Sequence, residues 1–289
     1  MKVWPKLNTS LVGFVDLLGF KNELLDISSD KGLAELYNKV KQVHAFFDMD
    51  PRDDIIRGAH KAVSKRVISL SDAVILTIDF HSPYSKISGI LDTLASELSL
   101  MGMAQANCVA NGIFLRGGLS IGYFFFENDI MLSNAVAESY QMEATATWPV
   151  IAMEPNFYSY FIKHEGNECY AEHCAPKNVL FYRFNSPKAD VPLYCLDYLR
   201  IALSYLQEWH SEEDRLRYIA ERDDRKKQQI LDESYTRNEL TFTQAHKKSI
   251  EKELSKDHPE AIKAKYEWLR DYHNEFVHDL GYPESSCIA

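Results

Sequence analysis

The chain has 289 residues, of which 46% are hydrophobic and 26% are charged, and this composition is typical of a globular protein with one large domain or one domain and an appendage. A net charge of −10 argues against binding to nucleic acid, because such binding needs clustered Lys and Arg. Apolar runs are too short to cross a bilayer, and the first ten residues, MKVWPKLNTS, lack the features of a secretory signal. We therefore expect a cytoplasmic protein that binds neither nucleic acid nor membranes.

The N-terminal third predicts a strand, a helix and a hairpin. TSLVGFVDLL reads as a buried strand, and apolar residues recur every three or four positions from Phe20 to Phe47, which predicts a helix. Residues 51–66 are polar and aperiodic. VISLSDAVILTI, residues 67–78, is rich in β-branched residues, and its polar break at Ser71 and Asp72 predicts a hairpin tip.

The next segment completes a βαββαβ order. Apolar residues between Ile87 and Met101 predict a helix, and IFLRGGLSIGYFFFE, residues 113–127, predicts a long strand. Its paired glycines suggest a bulge or a close approach of another backbone. This order is typical of ferredoxin-like α+β folds. A shorter unit follows, with ENDIML, a helix over SNAVAESYQMEATA, and strands at PVIAM and NVLFYRF.

The chain from about residue 195 contains long, charged helical stretches and no clear strand pattern. We therefore predict a catalytic-type domain over residues 1–194 and a helical C-terminal extension over residues 195–289. In the last helix, one stripe is predicted to pack on the core or on a second subunit. The stripe comprises Ala261, Ala264, Lys265, Trp268, Tyr272 and Phe276.

The five cysteines are odd in number and irregularly spaced, which favours reduced thiols over disulfides. HEGNECYAEHC, residues 164–174, contains side chains that can bind zinc, but their spacing fits no standard zinc module. We expect ordinary loop packing there. The zinc-type side chains of this segment are His164, Cys169, His173 and Cys174.

Two carboxylates interrupt apolar strands, Asp16 in VGFVDLLGFKN and Asp72 at the hairpin tip. One interpretation is structural, with Asp16 capping the following helix and Asp72 occupying a turn. In the other interpretation, the two carboxylates together bridge two divalent ions, Mn²⁺ or Mg²⁺, which take oxygen ligands and leave positions open for phosphate. After Asp16 in the chain, backbone N–H groups at the start of the next helix could bind the phosphate groups of a ligand, and Gly19 would allow those groups to approach closely.

Four motifs in the right order resemble the class III nucleotidyl cyclases, over roughly residues 10–155. FVDLLGF is similar to that family's first-strand Asp-x-x-Gly-Phe motif, and LSDAVIL to its hairpin Gly-Asp motif, with Ser71 in place of glycine. LRGGLSIG resembles its Arg-x-Gly-x-x-x-Gly strand, and SNAVAESYQMEATATWPVIAM its Gly-Asn helix and following strand. The resemblance implies a ferredoxin-like class III cyclase core and a site shared by the two subunits of a homodimer.

The resemblance also implies roles for individual residues. Asp16 and Asp72 would be catalytic metal ligands, and Arg116 a candidate contact to a phosphate or to the transition state. The nucleoside triphosphate substrate would be bound near Leu17, Leu18, Gly19, Phe20 and Ser71.

Several positions depart from the family pattern. Its transition-state Asn and Arg would fall on Ala137 and Gln141, its adenine-reading Lys on Ile68, and its acidic base-reading residue on Ile130, with Asp129 one residue out of register. These departures exclude an ordinary adenylate cyclase site. They leave three alternatives open: a cyclase with another base specificity, an inactive nucleotide-sensing dimer, and a purine cyclase with rewired base recognition.

A divergent bacterial branch, the pyrimidine cyclases of the Pycsar antiphage systems, resembles this chain more fully. The similarity includes the FVDLLGF, SDAVIL and RGGLSIG strands, the AVAESYQMEA helix and the KYEWLRDYHN tail helix. It implies that UTP, or alternatively CTP, is converted to a cyclic nucleotide that a separate effector protein reads during infection.

Other charged residues have plainer interpretations. The basic stretch formed by Arg57, His60, Lys61, Lys65 and Arg66 could attract a triphosphate, but a solvated loop is the commoner outcome. Glu138 and Glu143 are predicted to be surface or capping groups rather than ligands.

Overall fold

A computed structural model of the chain describes residues 8–48 and 53–289, so residues 1–7 of the N-terminal segment and residues 51–52 of the predicted polar stretch lie outside it. The fold is mixed α+β with a helical C-terminal region. It divides into two compact units. The first comprises the described residues up to Cys108 together with Ile113–Asp197, and the second comprises Val109–Gly112 and Tyr198–Ala289.

The elements of the first part of the chain alternate strands with helices. In chain order they are β1 (Thr9–Leu17), α1 (Phe20–Leu25), α2 (Asp30–Asp48), α3 (Asp54–Val63), β2 (Arg66–Leu70), β3 (Ala73–Asp79), α4 (Ser85–Ser88), α5 (Ile90–Ala110), β4 (Leu115–Glu127), β5 (Ile130–Ser133), α6 (Asn134–Ala146), β6 (Ile151–Met153), α7 (Pro155–Ile162), α8 (Pro176–Val179), β7 (Phe181–Phe184) and β8 (Leu193–Leu196). Two short 3₁₀ helices, Glu165–Cys169 and Glu172–Cys174, lie between α7 and α8.

The strands form one eight-stranded sheet in the order β2-β3-β1-β4-β6-β8-β7, and β5 pairs with β4. β1 lies between β3 and β4 and is antiparallel to both. β4 and β6 are parallel, whereas β6, β8 and β7 are antiparallel neighbours. The central position of β1 explains its continuous apolar sequence, because a central strand is covered on both faces.

The paired glycines of β4 mark a close approach rather than a bulge. The β1–β4 register runs without interruption from Thr9↔Tyr123 to Leu17↔Leu115. A Cβ at Gly118 would overlap the carbonyl oxygen of Ser139 on α6, and one at Gly117 would lie 2.6 Å from the Phe14 carbonyl oxygen. Gly118 therefore lets α6 lie directly on the sheet, whereas Gly117 allows the close approach of the β1 backbone.

The structure corrects three predictions about the first unit. The helix predicted from Phe20 to Phe47 is two helices, α1 and α2, separated by residues 26–29. The polar stretch after residue 52 is largely helical in α3, because the Asp53 side chain caps it by accepting from the N–H groups of Ile55 and Ile56. β8 forms a strand next to the predicted domain boundary, where no strand pattern is evident in the sequence.

The second unit is helical, as its charged periodic sequence predicts. Its helices are α9 (Tyr198–Ser204), α10 (Glu212–Ala220), α11 (Asp224–Leu254) and α12 (Glu260–Asp279), followed by a 3₁₀ helix over Glu284–Ser286. Tyr272 and Phe276 of the predicted stripe are buried, but Ala261 is exposed. The buried face of α12 is rotated toward Tyr266, Leu269 and His273, which pack within this unit.

Within the described ranges, every helix is too short or too polar to cross a bilayer.

Candidate active site

The sheet brings Asp16 and Asp72 together at one end of its central strands. Asp16 is the last residue but one of β1, and β1 pairs with β3 up to Val15↔Val74. Asp72 precedes β3 in a two-residue turn, because Leu70 and Ala73 are paired across the hairpin. The predicted hairpin tip is therefore confirmed. Ser71 adopts a left-handed conformation with φ 60°, which glycine adopts more readily.

The two carboxyl groups share a hydrogen bond in a partly buried site. Burial, together with the hydrogen bond and charge of Asp72, raises the pKa of Asp16 from its ordinary value of 3.8 to about 7, and Arg116 opposes this rise. The Asp16 side chain is 16% exposed. The pair thus retains a proton up to about neutral pH.

Arg116 is the cation next to this pair. It lies directly opposite Asp16 in the β1–β4 register, so both side chains project from the same face of the sheet. The Arg116 guanidinium donates to Asp16 Oδ2 over 3.0 Å. Its Nε lies 2.6 Å from the Oε1 atom of Glu143 on α6. Arg116 therefore bridges the pair to a helix on the same face.

Glu143 is a site residue that the sequence interpretation missed. It was expected at the surface, yet its side chain is 4% exposed and ion-paired with Arg116. The sequence signal for Glu143 is its position on α6, three residues after Tyr140 and four after Ser139, which places it on the same side of the helix as Ser139. Ser139 is also buried, and it donates to the Val12 carbonyl oxygen. Glu138 also makes a partly buried contact within the protein, accepting a hydrogen bond from Ser120 Oγ over 2.6 Å.

The interpretation of Asp16 as a helix cap is wrong. The N-cap position of α1 is Gly19, with φ 87°, and no side chain caps this helix. Asp16 instead contacts Asp72 and Arg116. The structural alternative for Asp72 remains in part, since this residue does occupy a turn, but a turn alone does not require a second carboxyl group beside it.

The predicted phosphate-binding segment lies directly after Asp16. Leu17 is buried at the end of β1, and the Leu18 N–H donates to the Phe114 carbonyl oxygen over 2.9 Å. Gly19 is exposed and Phe20 is half-buried at the start of α1. Because Leu18 N–H is already bonded, this group is not poised to bind a phosphate, and α1 is only six residues long.

The positions that depart from the cyclase pattern lie around the same face. Ala137 and Gln141 are exposed on α6. Ile68 on β2 packs on an apolar cluster that includes Val12, Phe14 and Ile75. Asp129 occupies the β4–β5 turn with φ 63°. The apolar side chain of Ile68 therefore lies among other apolar side chains.

The basic stretch is largely engaged in ion pairs. Arg57 pairs with Asp54, and His60 Nδ1 lies 3.6 Å from Asp48. Lys65 pairs with Glu97 over 3.2 Å in a buried contact. The prediction that these residues form a solvated loop is wrong, because they lie on α3 and at its junction with β2.

The residues at the pair fit hard divalent cations. Both groups are carboxylates, and Mg²⁺ and Mn²⁺ prefer oxygen ligands and retain sites for water or phosphate. Burial and the neighbouring Asp72 raise the pKa of Asp16 even with Arg116 in contact, so the ionised pair is disfavoured without a further positive charge. A divalent ion would supply that charge.

The thiol groups and the 164–174 segment are as the sequence predicts. All five cysteines are free. In the 164–174 segment, His164 Nδ1 accepts from the Gly166 N–H and Cys174 donates to the Ala171 carbonyl oxygen, as in ordinary loop packing. A convergence of His, Glu and Cys side chains lies instead near the end of the second unit, at His278, Glu284 and Cys287.

The comparisons with known proteins find matches among solved structures. No protein-family model and no curated protein matches the chain. Two solved structures that match are each of a bacterial light-regulated adenylyl cyclase, both 15% identical and both covering 68% of this chain. Their TM-scores are 0.41 and 0.39, and this chain spans 54% of the length of the first and 96% of the second.

Proposed function

We propose that the protein is a metal-dependent nucleotidyl cyclase that converts a pyrimidine nucleoside triphosphate, UTP in preference to CTP, to a 3′,5′-cyclic nucleotide and pyrophosphate. The observation that carries this proposal is the Asp16–Asp72 carboxyl pair, with Arg116 in contact, on one face of adjacent strands. A purely structural carboxylate needs only a donor such as Arg116, and does not require a second carboxyl group beside it.

The reaction requires attack of the ribose 3′-oxygen on the α-phosphorus in line with the leaving pyrophosphate, so positioning and charge neutralisation supply most of the catalysis. Two Mn²⁺ or Mg²⁺ ions held by Asp16 and Asp72 would activate the 3′-oxygen and neutralise phosphate charge. Arg116 would neutralise further charge from the β4 side, and Glu143 would hold its Nε in place. Leu17, Leu18, Gly19, Phe20 and Ser71 would form the walls of the triphosphate site rather than its main donors.

The strand order supports a ferredoxin-like core for this site. β2-β3-β1-β4 is antiparallel throughout, with helices between β1 and β2 and between β3 and β4. In such a core the first and third strands are neighbours, which places residues at their adjoining ends side by side. This arrangement explains why carboxylates 56 positions apart in the chain meet.

The base preference follows from the apolar surroundings of Ile68. An adenine edge placed there would leave polar groups without partners, at a cost of about 1–3 kcal/mol for each group. A pyrimidine is smaller by one ring, so it would suit a pocket that apolar side chains partly fill. We further propose that the cyclic product is a second messenger of antiphage defence, read by a separate effector protein.

We propose that the active form is a homodimer with symmetric shared sites. The exposed face of α6 carries Ala137, Tyr140 and Gln141, next to the face that holds Asp16 and Arg116. A second copy covering this face would complete the base pocket. Activity per subunit that falls on dilution, in parallel with dissociation in sedimentation, supports this assembly; a fully active monomer contradicts it.

A second candidate function is a non-catalytic nucleotide-sensing dimer. It is favoured by Ala137 and Gln141, which carry neither the amide nor the guanidinium of ordinary cyclases. In that case the carboxyl pair would bind metal and nucleotide without turnover.

The test is incubation of the purified protein with each of the four ribonucleoside triphosphates and Mn²⁺, followed by identification of products by mass. Cyclic UMP as the main product supports the full proposal. With all four triphosphates in equal-concentration competition, preference for ATP or GTP would overturn the pyrimidine assignment but keep the cyclase assignment. No cyclic product from a folded, dimeric, nucleotide-binding protein would identify the sensor.

A further inference from the structure

The end of the second unit brings together three side chains that offer nitrogen, oxygen and sulfur to one point. His278 lies in the last turn of α12, Glu284 begins the final 3₁₀ helix, and Cys287 follows that helix. One ligand atom from each residue lies within 4.8 Å of the others. Cys287 Sγ and His278 Nε2 are 3.8 Å apart.

The backbone around these side chains is held firmly in place. The chain reverses after α12 at Gly281, whose φ of 66° suits glycine. Lys247 Nζ donates to the carbonyl oxygens of Ser285 and Cys287, over 3.0 and 2.5 Å. These contacts fix the backbone on either side of Ser286, and so fix where the Cys287 side chain starts.

Two further hydrogen bonds hold the backbone of the next residue, Ile288. Asn274 accepts from the Ile288 N–H over 2.7 Å and donates to the Ile288 carbonyl oxygen over 2.8 Å. The Ile288 side chain is buried, and the Ser286 carbonyl oxygen contacts the buried His273. The segment that carries Glu284 and Cys287 is therefore anchored to α11 and α12 before any ligand arrives.

We propose that His278, Glu284 and Cys287 form a binding site for a thiophilic divalent transition-metal ion, with Zn²⁺ as the expected occupant. Imidazole nitrogen, carboxylate oxygen and thiolate sulfur are the three ligand types of zinc sites, at about 2.0–2.3 Å from the metal. Side-chain rotation alone can close the remaining gap, since the atoms already lie within 4.8 Å. On binding, Cys287 loses its thiol proton to solvent and Glu284 binds as the carboxylate, so the two negative charges balance Zn²⁺.

Three protein ligands leave the fourth tetrahedral position to water or to another ligand. His278 and Glu284 are exposed and Cys287 is half-buried, so the metal can enter from solvent. The site would therefore exchange its metal and link the end of the chain to α12. This proposal concerns a site separate from the oxygen-only Asp16–Asp72 pair, and it does not depend on the proposed cyclase activity.

The experiment is titration of the metal-free, reduced full-length protein with Co²⁺, followed by displacement with Zn²⁺. A thiolate ligand gives Co²⁺ an intense near-ultraviolet charge-transfer absorption, which carboxylates do not give. The wild type is expected to show this absorption, to lose it on addition of stoichiometric Zn²⁺ and to gain thermal stability with Zn²⁺.

The variants decide the assignment. Cys287→Ser should abolish the absorption, and His278→Ala should weaken binding at least about tenfold. Cys169→Ser removes an exposed thiol elsewhere and should change neither result, and Asp72→Asn should leave the absorption intact. Wild-type absorption that persists in Cys287→Ser, or its absence in the wild type, overturns the proposal. Should Cys287→Ser not fold, His278→Ala decides by the same titration, and unchanged affinity in that variant overturns it.

Discussion

At the scale of single residues, the site is governed by one excess negative charge. Asp16 and Asp72 share a hydrogen bond that two ionised carboxylates cannot make, so the pair retains a proton below about pH 7. Arg116 contacts Asp16 but is also held by Glu143, and its charge is divided between the two. Under the proposed function, the pair would exchange this proton for a metal ion.

The pH dependence of stability follows from the raised pKa of Asp16. Between its ordinary value of 3.8 and about 7, the folded state binds a proton that the unfolded state has released, so this contribution to stability is fully present below pH 3.8 and is lost progressively as pH rises to about 7. In Asp72→Asn, the amide can donate to ionised Asp16 instead. In EDTA at pH 8 the variant should therefore melt a few degrees higher than wild type, since about 1 kcal/mol corresponds to roughly 2–4 °C.

The same comparison at pH 5.5 is the control, because there the folded wild-type pair is protonated and the difference between the two melting temperatures should be smaller than at pH 8. Histidines elsewhere contribute equally to both proteins and cancel. Equal melting temperatures at pH 8 would contradict the shared-proton account.

Glu143 provides a second residue-scale prediction. Glu143→Gln leaves Arg116 without its buried counter-charge and should destabilise the protein by about 2 kcal/mol, below the usual cost of breaking a fully buried pair because Arg116 is one-third exposed. The KM for the triphosphate should rise more than kcat falls. Glu138→Gln is the matched control, since an amide oxygen can still accept from Ser120. Similar effects in the two variants, measured by chemical denaturation and steady-state kinetics, would remove the positioning role of Glu143.

At the scale of elements, the site depends on how closely α6 lies on β1 and β4. Ser139 donates to the Val12 carbonyl oxygen, and the Gly118 position has no room for a methyl group. Phe14 and Tyr140 meet edge to face with ring centroids 5.3 Å apart. A shift of α6 would therefore move Glu143 away from Arg116.

Gly118→Ala should destabilise the protein by about 1–3 kcal/mol and reduce activity, because α6 must move to admit the new Cβ. Gly58→Ala on exposed α3 is the opposite case. Nothing lies within 4 Å of its Cβ, and alanine in a helix interior should stabilise by about 0.5–1 kcal/mol. Denaturant midpoints measure both, and a tolerated Gly118→Ala would contradict the close-packing account.

The sequence predicts those elements that depend on local residue patterns and misses those that depend on tertiary contacts. The β1 strand, the hairpin tip at Ser71 and Asp72, and the approach at Gly117 and Gly118 are local signals of pattern and residue type, and the sequence predicts them correctly. The break after α1 and the strand β8 depend on tertiary contacts, so periodicity alone misses them. Glu143 is missed for the same reason, because a glutamate on a helix is usually exposed unless another element supplies its counter-charge.

The second unit has its own buried polar chain. Tyr198, His246 and His273 are linked by contacts of 2.8 and 2.9 Å, and His273 Nε2 lies 2.8 Å from the Ser286 carbonyl oxygen. All three contacts are satisfied when both imidazoles are neutral and each ring donates one hydrogen bond in the direction of Ser286. Burial lowers the pKa of both histidines, well below 6.5 for His246.

Acid should therefore destabilise this unit. Below pH 6.5 the unfolded state binds protons that the folded state excludes, so stability falls as pH decreases toward the lowered pKa values. His246→Gln should be less stable than wild type at pH 8, because the chain of contacts is broken, but its stability should change less between pH 7 and pH 5. Urea unfolding at several pH values measures this, and an equally steep dependence in the variant would contradict it.

At the scale of the whole molecule, the residues of the proposed active site and the helical extension belong to different compact units. Asp16, Asp72, Arg116 and Glu143 all belong to the first unit, and the proposed transition-metal site belongs to the second. Their ligand sets differ in the same way, with oxygen alone in the first and nitrogen, oxygen and sulfur in the second. Metals of different hardness should therefore load the two sites independently.

The most direct test of the central claim is cyclic nucleotide formation from UTP with Mn²⁺ in wild type, Asp16→Asn, Asp72→Asn and Asp190→Asn, the last being an exposed aspartate of the same unit. We predict that the two pair variants fold, melt no lower than wild type without metal, and lose at least about a thousandfold in turnover, as expected when electrostatic stabilisation of the transition state is removed. Asp190→Asn should remain fully active. Near-wild-type turnover in either Asp16→Asn or Asp72→Asn would contradict the assignment of the carboxyl pair as the catalytic metal site.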